Sequence, residues 1–136
     1  MSTIDEAIRN VLVNDATVTA ITATRIYPSV IPQSNTNARC ITYDQISTPR
    51  LRALDGLDGL SQPRFQINSW GTTYAEAKSL AAAVKGALAD YSGTALGVVI
   101  RDVSIEDEGD VEDLSPDVRS RRRYGVRQDF LVWYEE

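Results

Sequence analysis

The sequence contains no histidine and a single cysteine, Cys40, among its 136 residues. Histidine is the commonest general base and a frequent metal ligand in proteins. Its absence removes the usual group that activates a serine or cysteine nucleophile. One cysteine cannot form an internal disulfide, and without a histidine or a second cysteine it cannot hold zinc. We therefore predict that the protein is not an enzyme and uses no cofactor or metal, and that Cys40 is a small half-buried hydrophobe.

Long hydrophobic runs and phosphate-binding loops are also missing. No stretch approaches the ~20 apolar residues that a membrane-spanning helix needs. Residues 1–10 lack the basic region and the apolar run of a signal peptide. No segment matches GxxxxGK[ST] or GxGxxG, the glycine-rich motifs that cradle phosphates. These absences predict a protein that is made in the cytoplasm and has no membrane partner.

The net charge of −5 is concentrated in the last quarter of the chain. Residues 1–99 carry eight acidic and eight basic side chains, whereas residues 100–117 carry eight acids and one arginine. Residues 118–136 then carry five arginines and three acids. An acidic chain disfavours a dedicated DNA-binding role, because the phosphate backbone attracts a basic surface.

The clearest structural signal is a strand followed by a helix, over residues 62–91. Apolar and polar side chains alternate over residues 64–70, as in a strand with one face on a core. Apolar residues then recur every three or four positions, which predicts an amphipathic helix. Thr73 and Glu76 match the capping box that begins a helix. A strand followed directly by such a helix favours helices packed on a sheet.

The rest of the chain supplies fewer and weaker elements. Helical spacing covers residues 3–13, with a short helical turn near 16–21, and strand patterns cover residues 40–47, 98–105 and 124–134. The order α-β-β-α-β-β predicts an α+β fold in one domain over residues 1–136. This fold would be a four-stranded, mainly antiparallel sheet with two helices packed on one face. The last strand is apolar on both faces, which predicts an interior position or cover by another subunit.

Two segments look like long loops, at residues 48–61 and 106–117. The first contains the repeat Asp-Gly-Leu, Asp-Gly-Leu over residues 55–60. Its aspartates could suggest calcium, but they lack the ligand spacing of an EF-hand loop. Loops of this length are commonly mobile or functional, and we interpret this one as an arm that orders against a neighbour.

The acidic run over residues 106–113 has several possible roles. Charge runs are usually solvated faces, and a catalytic carboxylate pair would need contrasting environments that so polar a run does not offer. If the last two strands form a hairpin, the acids could pair across it with the arginines of residues 119–123. Contact of these arginines with nucleic acid is a further alternative.

Five segments, taken in order, carry a resemblance to a known family. They are RIYP at 25–28, ITYDQIS at 41–47, the Asp-Gly-Leu region with LSQPR at 60–64, RFQINSWGTTYAEAKSLAAAV at 64–84, and QDFLVWY at 128–134. Together they resemble the tail-terminator, or tail-completion, proteins of long-tailed double-stranded DNA bacteriophages. The likeness covers most of the chain and rests on order and spacing. It departs from the family at Ala38-Arg39-Cys40, where relatives place a proline before the first main strand.

The resemblance implies a structural protein of the virion tail. Such subunits assemble as a homo-oligomeric ring, a hexamer, on the end of the tail tube and stop its polymerisation. The implied partners are the tail tube protein and the head connector or head-completion protein. DNA would pass through the lumen without specific binding. In a closed ring each contact is heterologous, so two different patches of the subunit must match.

We expect the subunit or partner interface to lie on the two long loops, the arginine cluster and one tryptophan, the only large apolar side chain on the polar face of its strand. These candidates are Arg50, Arg52, Leu54, Leu57, Leu60, Trp70, Glu106, Asp107, Glu108, Asp110, Arg119, Arg121, Arg122 and Arg123. Two alternatives stay open at this stage. One is another head-tail connector or head-completion adaptor. The other is a small ligand-binding module, which would need a concave pocket with convergent polar groups.

Overall fold

A computed structural model describes residues 3–23, 25–28, 39–47, 50–53, 56–112 and 124–135. Among these residues there are three helices and eight strands. The helices are α1 (Ile4–Val13), α2 (Ala16–Thr22) and α3 (Tyr74–Leu88). The strands are β1 (Ile26–Pro28), β2 (Cys40–Ser47), β3 (Arg50–Ala53), β4 (Gly56–Ser61), β5 (Arg64–Gly71), β6 (Gly93–Ala95), β7 (Val98–Glu112) and β8 (Tyr124–Glu135).

Each helix begins at a polar residue of the kind that favours helix starts. Thr3 precedes α1, Asp15 precedes α2 and Thr73 precedes α3. The Asp15 carboxylate accepts hydrogen bonds from the backbone N–H groups of Thr17 and Val18, at 3.0 and 3.1 Å. Such caps satisfy amides that the first turn leaves without a partner in the helix. The predicted starts of the first and last helices are confirmed.

The eight strands form one mixed sheet that curls into a half-barrel. β5 and β4 pair with consecutive parts of the same edge of β8. They therefore share one position in the sheet, interrupted at Gln62 and Pro63. β2 and β3 share the next position in the same way, because β2 pairs with β5 and β3 pairs with β4. The eight strands therefore occupy six positions, in the order β1, β2 with β3, β5 with β4, β8, β7 and β6.

The predicted four-stranded sheet with two helices is wrong. The structure adds α2 and the strands β1, β3, β4 and β6. The two added terminal strands are three residues long, too short for a hydrophobic period to register. β1 also pairs parallel to β2, although the remaining pairs are antiparallel. The four added strands exist because their backbones pair with other strands, and such pairing is not revealed by local sequence patterns.

Both predicted loops contain strands. β3 and β4 occupy most of residues 48–61, while β7 continues past the predicted end at residue 105 as far as Glu112. The extension follows from β8, whose first residues pair with the acidic run across the hairpin. The last-strand prediction is confirmed, since β8 lies between β5 and β7. Residues 113–117 and Leu54 lie outside the described residues.

The hydrophobic core lies between the helices and one face of the sheet. Alternate residues of each central strand face it, as the strand period requires. Its largest fully buried members are Phe65, Phe130, Ile8, Leu12, Ile26, Ile41, Ile67, Leu80, Leu88 and Ile100. The opposite face carries Thr42, Asn68, Trp70, Arg127 and Asp129 in register, and we call it the polar face.

Candidate assembly interface

Two hairpins extend toward opposite ends of the sheet. β3 and β4 form the first, which we call the β3–β4 arm (residues 50–53 and 56–61). Its pairing with β8 stops at Leu60 opposite Glu135, so the pair of Ala53 with Gly56 lies beyond that end of β8. The β7–β8 hairpin reaches the other end, where Glu112 pairs with Tyr124. The β3–β4 arm thus extends one end of the sheet, whereas at the other end β7 and β8 stop level with Gly71, the last residue of β5.

Four of the predicted interface residues lie on the β3–β4 arm. They are Arg50, Arg52, Leu57 and Leu60. The structure therefore places them together, on a two-stranded extension of the β2–β5 hairpin. The predicted arginines Arg119, Arg121, Arg122 and Arg123 lie outside the described residues.

The predicted acidic residues alternate between the two faces of β7. A bulge between Ile105 and Asp107 sets the register, so that Asp107 lies opposite Asp129 and Glu108 opposite Gln128. Asp107 consequently lies on the polar face, and Glu108 lies on the helix face. Glu106 is exposed at the bulge and accepts a 2.9 Å hydrogen bond from the Ser104 hydroxyl. The acidic run is therefore divided between two environments.

On the polar face, Arg127 joins two carboxylates from neighbouring strands. Its guanidinium donates to Asp107 at 3.2 Å and to Asp129 at 2.9 Å. The hydrogen bond from the backbone N–H of Glu108, followed by that from Arg127, lowers the pKa of Asp107. The hydrogen bond to Asp107 raises the pKa of Arg127 in turn. This cluster carries one net negative charge and ties β7 to β8.

On the helix face, Asp110 joins β7 to the first turns of α3. Lys78 Nζ lies 3.1 Å from Asp110, and the Tyr74 hydroxyl donates to the same carboxylate at 3.2 Å. The hydrogen bond from Lys78 lowers the pKa of Asp110, and hydrogen bonds with Tyr74 and Asp110 raise that of Lys78. All three side chains are exposed, so solvent screens the pair and its effect on stability is small.

Gln128 supplies a buried link between the same elements. Its Nε2 donates to the backbone carbonyl of Ala81 in α3 and to the Glu108 carboxylate, both at 3.1 Å. The residue is fully buried. A buried amide with these partners fixes the position of α3 on the sheet, because leaving it unpaired would cost free energy.

Trp70 lies within the subunit, with 8% of its surface exposed. Its ring packs on Gly125 of the neighbouring strand, and its Nε1 donates to the Thr42 hydroxyl at 3.1 Å. A Cβ at Gly125 would lie 2.6 Å from the tryptophan ring. The glycine is therefore what allows Trp70 to lie flat on the polar face.

A cleft of about 310 Å³ opens between α2 and α3, lined by Ala20, Ile21, Arg39, Ala75, Glu76 and Ser79. Its two charged groups bind each other, since Arg39 and Glu76 form a 2.6 Å ion pair. The hydrogen bonds from Thr72 and then from Arg39 lower the pKa of Glu76 to about 2. The two charged groups of this cleft are thus engaged with each other.

The Glu76 carboxylate departs from the predicted capping box. The Thr73 hydroxyl accepts from the backbone N–H of Glu76 at 3.1 Å, as predicted. The glutamate, however, accepts from the backbone N–H of Thr72 at 2.9 Å rather than from that of Thr73. Glu76 thereby links the helix start to the turn after β5 and to Arg39.

Metal-binding clusters and membrane-spanning helices are both absent from the described ranges. No group of three or more histidine, cysteine, aspartate or glutamate side chains there could hold a metal ion. None of the helices in that part of the chain has the length and apolar character needed to cross a membrane.

Sequence reasoning missed the side chains that organise the acidic strand. Arg127, Gln128, Tyr74 and Lys78 were not among the predicted interface residues. The alternation of polar residues within the apolar strand Tyr124–Glu135 could have pointed to Arg127. Its pairing with Asp107 could not be read from the sequence, because the bulge in β7 decides which acids face it.

Comparison with known proteins places the chain in a family. The family model for tail completion protein gp17 matches residues 6–135. The fold is similar to that of a chain from the virion of a native gene transfer agent (GTA) particle, with a TM-score of 0.77 and 17% identity over 98% of this chain and 95% of that one.

A second solved structure aligns with a TM-score of 0.59 and 15% identity over 100% of this chain and 96% of the other. No curated protein matches the chain in sequence. The match to the family model covers nearly the whole chain and confirms the resemblance found in the sequence. The chain belongs to the tail completion protein gp17 family and is a structural protein of the bacteriophage tail.

Proposed function

We propose that the protein caps the end of the phage tail tube as a homo-oligomeric ring of six subunits. The ring ends tube polymerisation and forms the surface that joins the head connector or head-completion protein. One observation carries this proposal beyond the family itself: the subunit has two different hairpins at opposite ends of one sheet. A closed ring requires two unlike contact patches on each subunit, and a cap between two partners requires two unlike ends.

The charge of the acidic strand supports a lumen that DNA can traverse. On the polar face the Asp107, Arg127 and Asp129 cluster is already paired and carries a net negative charge. A phosphate backbone gains little from this cluster, because its one cation, Arg127, is already bound by two carboxylates. In the proposed ring, the polar face or the acidic strand lines the lumen, and DNA slides past without specific binding.

The proposal includes no catalytic role. The family is one of structural virion proteins. The charged groups at the described cleft, Arg39 and Glu76, bind each other at 2.6 Å. An ion pair of this kind holds a turn in place and leaves neither group poised to act as a general acid or base.

The test combines assembly with tube growth. The purified protein is examined by analytical ultracentrifugation and negative-stain microscopy, then added to polymerising tail tube protein while tube lengths are measured. We expect rings of uniform mass and tubes that stop growing. Protein that stays monomeric and leaves tube length unchanged would contradict the proposal. Protein that binds the head-side complex but does not cap tubes would favour the head-completion adaptor instead.

The arginine cluster can be tested in the same assay. The variant R121E/R122E/R123E reverses three charges, and we expect it to weaken the ring or the joining of tails to heads. Lys85→Glu, on the exposed side of α3, is the control for the charge change. An unchanged oligomer with unchanged tail joining would remove these arginines from the interface.

A further inference from the structure

The sheet ends in two edges that differ in charge. On one side, β3 pairs with β4 along one edge only, and among the described residues its other edge has no strand beside it. On the opposite side, β6 covers β7 only as far as Ile100, and Asp90 donates to the Val103 carbonyl at 2.8 Å. From residue 104 to 112, no described strand covers the outer edge of β7.

Exposed strand edges carry free backbone N–H and C=O groups, which makes them templates for another strand. β3 has the sequence Arg-Leu-Arg-Ala and contains two cations and no acid. The outer part of β7 contains five acids, at Glu106, Asp107, Glu108, Asp110 and Glu112, and no cation. The two edges are therefore complementary in charge as well as in backbone hydrogen bonding.

We propose that β3 of one subunit adds to the outer edge of β7, over residues 104–112, of a neighbouring copy of this chain. This contact joins the sheets of adjacent subunits into one continuous sheet around the ring. The proposal rests on the proposed ring and specifies which strands close it.

The charges also explain why each edge selects the other. Two β7 edges would bring acids against acids, and two β3 edges would bring arginines against arginines. Like charges directly opposite each other destabilise a strand pair, so identical edges do not associate.

An exposed apolar side chain lies on the β3 side of the sheet. Ile46 sits at a bulge near the end of β2, just before β3, and is 49% exposed. An isoleucine this exposed gains free energy when a partner covers it. Ile46 lies beside β3 and therefore next to the proposed contact.

The test uses two charge-reversal variants, R50E/R52E and E106R/E112R. These acids were chosen because Asp107 and Asp110 form ion pairs with cations inside the subunit. Each variant alone should raise the concentration needed for half assembly by ~10-fold or more, since it places like charges at the contact. Lys85→Glu is the control that changes charge away from both edges, and circular dichroism checks folding.

Mixing the two variants gives the decisive measurement. Contacts between unlike variants then place opposite charges at the exchanged positions 50, 52, 106 and 112, so an equimolar mixture should recover rings in which the two variants alternate. Native mass spectrometry would count equal numbers of each. If the wild type forms rings, two results would overturn the edge contact and leave the ring intact. One is normal assembly of each variant alone, and the other is failure of the mixed variants to assemble. Absence of wild-type rings would instead overturn the proposed function.

A second measurement needs no variant and covers the case in which one does not fold. Hydrogen exchange of the wild-type protein is compared at concentrations that favour rings and single subunits. Amides in residues 50–53 and 104–112 should gain protection on assembly, whereas the exposed side of α3 should not. Equal exchange of both strand edges in the two states would also overturn the contact.

Discussion

Trp70 and Gly125 show how a single residue sets the shape of the polar face. The tryptophan ring occupies the space where a side chain at position 125 would lie. Its indole N–H also bonds the Thr42 hydroxyl, so both the apolar and the polar part of the side chain are satisfied. Trp70 was predicted to be an interface residue as the only large apolar side chain on the polar face of its strand. Its observed packing gives it a role inside the subunit.

Gly125→Ala should destabilise the protein by ~1–3 kcal/mol, because the new methyl group would meet the Trp70 ring at 2.6 Å. The matched control is Gly86→Ala in α3, where an added Cβ meets nothing within 4 Å. That change should stabilise the protein by ~1 kcal/mol through helix propensity. Urea unfolding followed by circular dichroism measures both. Equal effects of the two substitutions would contradict this account of the polar face.

Glu76 makes a pH-dependent contribution to stability. Its hydrogen bonds lower the pKa from 4.5 to about 2, so the folded state favours the charged carboxylate. Stability from this group is fully present above about pH 4.5 and is lost as the pH falls toward 2. Wild type should therefore exceed Glu76→Gln in stability at pH 7, by a margin that shrinks in acid. Urea unfolding at several pH values between 7 and 2.5 measures the difference. A margin that stays constant over this range would contradict the assignment.

At the scale of elements, β8 is the strand on which the sheet is built. It pairs with β5 and then β4 along one edge and with β7 along the other. Its alternate side chains enter the core or the polar face, and Gln128 fixes α3 on top of it. The β3–β4 arm, in contrast, extends beyond the end of β8 and pairs only within itself there. Stability should therefore differ between these strands.

Hydrogen exchange at low protein concentration, where single subunits prevail, should reveal this difference. Amides over residues 125–131 should exchange slowest, because strands lie on both sides of them. Amides over residues 50–53 should exchange at least ~100-fold faster, since opening a two-stranded ribbon disrupts few contacts. Uniform exchange across both strands would show that the arm is as stable as the centre of the sheet.

Elements differ in how well the sequence predicts them. β5 and α3 were predicted correctly because their signals are local: alternation in the strand, an apolar stripe in the helix, and Thr73 at the helix start. β3 and β4 were read together as one long loop between two strands, which orders against a neighbour. Their strand character comes from pairing with each other and, at Leu60 and Ser61, with β8, which lies more than 70 residues away in the chain.

At the scale of the whole molecule, the sheet has two unlike ends and two unlike edges. The β3–β4 arm lies at one end and the β7–β8 hairpin at the other, while the basic edge at β3 and the acidic edge at β7 lie on opposite sides. A subunit with unlike sides and unlike ends is suited to a ring between two different partners. The proposed ring uses the sides to close and the ends to bind the tail tube and the head connector.

The sequence by itself determined the family, the location of the main strands and helices, and the concentration of charge near the C-terminus. These features depend on residue order, hydrophobic period and capping, which are local. Only the tertiary structure decided which acids face which partners. The register of β7 on β8, with its bulges, sends Asp107 to Arg127 and Asp110 to Lys78. Because a shift of one residue moves a strand's side chains to the other face, no count of charges could have settled that assignment.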